Sequence, residues 1–120
     1  METNSKKNTD LTYLKELSNG SNEFIVQMIT IFLNETPAAV DKVEQYAKTS
    51  NWDALRAAVH KMKPSFAFMG IKELEDTINS VEKYSEAKTN LDLIPEMISK
   101  IKTVLKAAVQ ELEIAKKEFS

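Results

Sequence analysis

Ile94, Ile98, Ile101, Leu105, Ala108, Leu112, Ala115 and Phe119 follow one another at intervals of four, three, four, three, four, three and four residues. At about 100° per residue that spacing puts every one of them on one side of an α-helix that runs almost to the C-terminus. A helix with so long an apolar stripe has to bury it against other helices. Pro95 suits the first turn, where a missing backbone N–H costs nothing.

Three more segments carry the helical period. Ser21 or Asn22 is placed to cap one that keeps Ile25, Met28, Phe32, Ala39, Val43 and Tyr46 in register to about Thr49, with Phe24 and Ile31 widening the apolar face. Pro37 lies inside this helix and is expected to kink or split it, since an interior proline costs about 3 kcal/mol. Asn51 caps the next helix, in which Leu55, Val59, Met62, Phe66 and Met69 share a stripe, Trp52 sits at its edge and Gly70 marks the stop. In the following segment Ile71, Leu74, Ile78 and Val81 turn inward, leaving Glu73, Glu75, Asp76, Glu82 and Lys83 toward water. The polar residues Ser85 to Asn90 form the turn before the last helix. A shorter helix precedes all of these, capped by Thr9 or Asp10, with Leu11, Leu14 and Leu17 on one side and an end near Asn19-Gly20. Residues 1–8 are polar and aperiodic, which predicts a flexible tail. Residues 9–120 therefore read as a single all-α domain, an antiparallel up-down-up-down four-helix bundle with a short additional N-terminal helix, the alternative being an open helical array.

Composition narrows the functions such a bundle can have. With 120 residues the chain can bury one core, and two glycines and three prolines are too few for a strand-and-turn fold. The net charge is −2, with acids and lysines interleaved, so the basic footprint of a nucleic-acid binder is missing. No apolar run approaches the roughly 18 residues of a membrane span, and the N-terminus is not a secretory signal, which makes the cytoplasm the expected location. The absence of cysteine removes disulfides and thiol chemistry. One histidine cannot furnish a zinc site, and Ala57 stands where a di-iron bundle would need a glutamate three residues before it. Two Ser-x-x-Lys matches, at Ser80 and Ser99, lack their companion motifs, and there is no glycine-rich phosphate loop, so no ATP site is expected. A closed bundle without a spare apolar face is expected to be a monomer.

The one histidine, His60, is pointed away from the core. On a helical projection it lies roughly 130° from the centre of its helix's apolar stripe, and its neighbours one turn away are Arg56, Ala57, Lys63, Pro64 and Ala67. Small residues around an imidazole leave it open to another molecule, and a lysine three residues on can reach whatever becomes attached to it. Pro64 cannot donate to the His60 carbonyl and crowds it, so the helix is expected to bend or loosen here.

The run His60-Lys61-Met62-Lys63-Pro64-Ser65, followed by Phe66-Ala67-Phe68-Met69-Gly70, resembles the His-x-Leu-Lys-Gly-Ser motif of the histidine-containing phosphotransfer (HPt) domain of bacterial two-component phosphorelays. The resemblance implies that His60 is the phosphorylated residue and that Lys63 stabilises the phosphoryl group. Met62 takes the place of a buried leucine, Ser65 that of the serine, and Pro64 stands where the family most often has glycine. Arg56, Ala57, Lys61, Pro64, Ala67 and Phe68 would then face the partner. The implied function is that of a relay intermediate, which takes a phosphoryl group from a receiver-domain aspartyl phosphate and passes it to another receiver. It would be a carrier and not an enzyme, with no cofactor of its own and magnesium on the receiver. The implied partners are response-regulator receiver domains, that of a hybrid histidine kinase among the candidates. An imidazole nucleophile suits this role because an unperturbed one is mostly neutral near pH 7. An ammonium about 4 Å from the developing charge adds roughly 1 kcal/mol in water and up to about 4 at an effective dielectric of 20. The alternative function is a helical adaptor that binds a receiver or another signalling protein without chemistry.

Overall fold

Ser21 and Asn51 each open a helix with a side chain, Ser21 accepting the Phe24 N–H at 3.1 Å and Asn51 the Ala54 N–H at 3.4 Å. The computed structural model describes residues 7–120, and the expected tail lies largely outside them. Five α-helices follow in order: α1 (Thr12–Ser18), α2 (Asn22–Lys48), α3 (Trp52–Phe68), α4 (Glu75–Ala87) and α5 (Ile94–Phe119). Short 3-10 turns at Lys72–Leu74 and Leu91–Leu93 lead straight into α4 and α5.

The four longer helices pack in a ring, α2 on α3, α3 on α4, α4 on α5 and α5 back on α2, while α1 leans on α2. Connections of a few residues between helices that touch force them to run antiparallel, which gives the expected bundle. The core is the predicted stripes: Ile25, Ile29, Phe32, Val40 and Val43 from α2, Leu55, Val59, Met62 and Phe66 from α3, Ile78 and Val81 from α4, and Ile94 to Leu112 from α5. Full burial of each such side chain is worth roughly 1.5–3 kcal/mol.

Local departures from the sequence pattern have physical causes. α2 and α3 are not interrupted at Pro37 or Pro64; each runs through its proline as one helix. A proline removes one intrahelical donor, and packing on two neighbouring helices compensates for the loss. α4 continues through Ser85, which is fully buried with its hydroxyl donating to the Val81 carbonyl at 2.7 Å, so the turn is only Lys88–Asn90. Leu17 and Ile31 stand in solvent at 46% and 43% exposure. In α1 the second inward position belongs to Ser18 rather than Leu17, because its hydroxyl is satisfied by the Lys15 carbonyl at 2.6 Å. Asp10 caps from one step farther out than expected, accepting the Thr12 N–H at 3.0 Å. Asn8, the last residue of the expected tail, is tied to Glu111 of α5 by its own N–H and its side-chain amide, both at 2.8 Å.

α3 ends in a Schellman motif. The Ile71 N–H reaches the Phe66 carbonyl and the Gly70 N–H that of Ala67, each at 3.1 Å, with Gly70 at φ +64°. Glycine is needed here twice over, because a Cβ would also stand 2.1 Å from the Asp10 carbonyl oxygen. The N-terminal segment therefore crosses the end of the histidine helix too closely to leave room for a side chain at Gly70.

Candidate functional site

Leu55, Val59, Met62 and Phe66 anchor α3 in the core, and this fixes what the opposite side shows. Ala57, His60, Lys61, Pro64 and Ala67 form its exposed crest, and the His60 side chain is 66% exposed. Ala57 and Ala67 carry nothing larger than a methyl group beside the imidazole, so a second protein can approach the ring closely.

The ring is not free to rotate. Glu82 of α4 brings one carboxylate oxygen to 2.5 Å from His60 Nδ1 and the other to 2.7 Å from Lys63 Nζ. Hydrogen bonding from Lys63 first, and then from His60, holds the Glu82 carboxyl below the ordinary glutamate range, against the opposing effect of partial burial. The group is thus an anion near neutral pH, and an anionic carboxylate can only accept. A neutral His60 must therefore carry its proton on Nδ1, which leaves the Nε2 lone pair pointing away from Glu82 as the available nucleophile. The arrangement is a carboxylate that orients a base, with a cation on its second oxygen.

Glu82 corrects the sequence pattern, which assigns it to the water-facing side of its helix. It lies four residues after buried Ile78 and three before buried Ser85, at the edge of the inward stripe, and its side chain is only 16% exposed. An acid in that register is a signal the sequence does contain. What it meets across the seam between α3 and α4 depends on packing.

The other expected site residues divide between the two flanks of the crest. Lys63, Pro64 and Ala67 line a groove of about 480 Å³ on the α4 side, together with Lys72, Glu75 and Asn79. Arg56 is half-buried one turn before His60. Lys61 borders the α2 side, in a groove shared with Lys42 and Tyr46. Phe68 is partly buried and stacks on Tyr13 of α1, with ring centroids 5.9 Å apart and planes 8° from parallel. Tyr13, absent from the sequence-based set, is half exposed and extends the apolar surface beyond the end of α3. Among the described residues no group of three or more His, Asp or Glu side chains is placed to hold a metal ion, and no helix is long and apolar enough to cross a membrane.

A family model described as Hpt domain matches residues 27–115, which takes in all of α3 and α4 and leaves α1 outside. No curated protein matches the chain. No solved structure does either.

Proposed function

This chain belongs to the Hpt-domain family, whose members carry phosphoryl groups on histidine and meet receiver domains in phosphorelays, and from that premise we propose that His60 is its phosphoryl carrier. The observation that supports it best is the Glu82 contact to Nδ1 on an exposed ring, because it leaves the Nε2 lone pair free to attack.

In the proposed step the Nε2 lone pair attacks the phosphorus of a receiver's aspartyl phosphate in line. The N–P bond forms, the P–O bond to the aspartate breaks, and the electron pair leaves with the aspartate carboxylate. No proton has to move: Nδ1 keeps its hydrogen, the ring becomes cationic, and Glu82 faces the new positive charge. Onward transfer is the reverse, with an aspartate oxygen of a second receiver attacking phosphorus and the N–P pair returning to Nε2. Lys63 lies one turn along the same helix and places an ammonium near the phosphoryl oxygens. The divalent cation belongs to the receiver. Ala57, Pro64 and Ala67 give the receiver room to bring its aspartate to Nε2, while Arg56, Lys61 and Phe68 border the contact.

The test is label transfer from a panel of phosphorylated receiver domains to the full chain and to His60→Gln. Acid-labile label on the wild type and none on the variant is the expected result. Because the replaced side chain is exposed and gives up one hydrogen bond to Glu82, the variant should stay folded with a loss of about 1 kcal/mol. A folded variant that takes label as well as the wild type overturns the proposal, and saturable receiver binding with no label on either protein favours the adaptor.

A further inference from the structure

Glu111 of α5 gathers four donor groups, far from His60. Its carboxylate accepts the backbone N–H of Asn8 at 2.8 Å, the Asn8 side-chain amide at 2.8 Å, the Thr9 N–H at 3.0 Å and the Thr9 hydroxyl at 2.8 Å. The next residue, Asp10, donates its N–H to the Met69 carbonyl at 3.1 Å and lies 3.5 Å from the Lys72 ammonium. Residues 8–10 thus form a strap from α5 to the end of α3, and they carry no apolar side chain that the core would hold.

The strap leads into α1, which has seven residues. A helix of that length has no stability alone, since isolated helices below about 12–15 residues are marginal. Only Leu14 and Ser18 of α1 are buried, so its placement depends on its attachments. One side chain it presents is Tyr13, half exposed and stacked on Phe68. Phe68 is eight residues beyond His60 on the same helix, about 12 Å along its axis.

We propose that Glu111 is a latch: by fastening the strap it holds α1 against the end of the bundle and keeps Tyr13 seated on Phe68, which makes it a positioning residue for the receiver that docks on His60. The proposal rests on the phosphorelay reading for its partner, and it assigns a role to a segment that precedes the matched family span. Seating Tyr13 on Phe68 adds an aromatic pair to the contact at the end of α3, so loosening the strap weakens docking without touching the transfer step.

The experiment compares the full chain with Glu111→Gln by amide hydrogen exchange and by phosphotransfer kinetics from one phosphorylated receiver. Exchange at residues 8–12 should quicken about tenfold or more, with α3 unchanged. The KM for the receiver should rise several-fold while kcat stays within about twofold. Gly70→Ala, whose Cβ collides with Asp10, should also quicken exchange at residues 8–12, but with the last turn of α3 loosened as well, because φ +64° strains any residue with a Cβ. Tyr13→Ala added to Glu111→Gln should raise KM no further, since the two act through one contact. Strap amides that exchange at the wild-type rate in Glu111→Gln, or a freed strap with unchanged KM, overturn the proposal. If Glu111→Gln fails to fold, Thr9→Val, which removes a single donor, is held to the same two readouts. A wild type that takes no label overturns the phosphorelay reading itself, an outcome distinct from a failed latch, in which the wild type takes label and the variant matches it.

Discussion

Two glutamates, Glu82 on α4 and Glu111 on α5, are built almost alike and used differently. Each is partly buried, each engages donors on both oxygens, two for Glu82 and four for Glu111, and each is held below the ordinary glutamate range. For Glu111 burial is the largest influence and works the other way; the hydrogen bonds from Asn8 and Thr9 together outweigh it. The difference lies in the donors. Those of Glu82 are side-chain groups, an imidazole and an ammonium, whose charge and position can change during a reaction. Those of Glu111 are two backbone amides and the short side chains next to them, which can only be held or released. One arrangement tunes a reactive atom, and the other fixes a piece of chain.

Removing the charge of each glutamate should separate the two uses. Glu82→Gln keeps the size of the side chain but takes the anion from behind Nδ1 and the partner from Lys63. Label acceptance by His60 should slow by about ten- to a hundredfold, the loss typical when the carboxylate that orients a functional histidine is removed. Glu111→Gln should leave the rate at saturating receiver within about twofold. Rapid-quench measurements at saturating receiver decide the matter, and equal losses in the two variants would erase the distinction.

Much of this was legible in the sequence, and the illegible part has a common cause. The stripe from Ile94 to Phe119, the caps at Ser21 and Asn51 and the stop at Gly70 all depend on neighbours within one or two turns, and they appear in the structure where the pattern puts them. His60 off the apolar stripe is exposed for the same reason. Glu82 beside His60, Tyr13 on Phe68 and Glu111 on Asn8 are contacts between elements distant in the chain. Periodicity places a residue on a face but does not say what faces it. The uninterrupted helices at Pro37 and Pro64 follow the same rule, with tertiary packing overriding a local preference.

Lys63 tests whether Glu82 acts mainly on the ring or mainly on the cation. Lys63→Met retains the stem and removes the charge. At a half-exposed position the lost attraction for the phosphoryl group is on the order of 1 kcal/mol, so acceptance should slow by about five- to tenfold. That is less than for Glu82→Gln if orienting the imidazole is the carboxylate's main service. A Lys63→Met defect as deep as that of Glu82→Gln would shift the weight to the ammonium.

The smallest expected effect is on acid titration of the strap. A carboxyl with a lowered folded-state value contributes stability that is fully present above its unfolded value and is lost as pH falls through the folded one. For Glu111 the unfolded reference is the ordinary 4.5. The Asn8 and Thr9 amide signals should therefore hold still from pH 7 down to about that point and move only below it. Asp10, in the same strap, is held to about 2, chiefly by hydrogen bonds from Thr12. Its turn into α1 should thus hold far below the ordinary aspartate range. Proton–nitrogen correlation spectra recorded between pH 7 and pH 2 would follow both contacts. In Glu111→Gln the transition at Asn8 and Thr9 should vanish, whereas Glu82→Gln should leave it in place. If the Asn8 and Thr9 signals titrate identically in wild type and Glu111→Gln, the carboxylate is not what holds the strap, and the contrast between the two glutamates reduces to their surroundings.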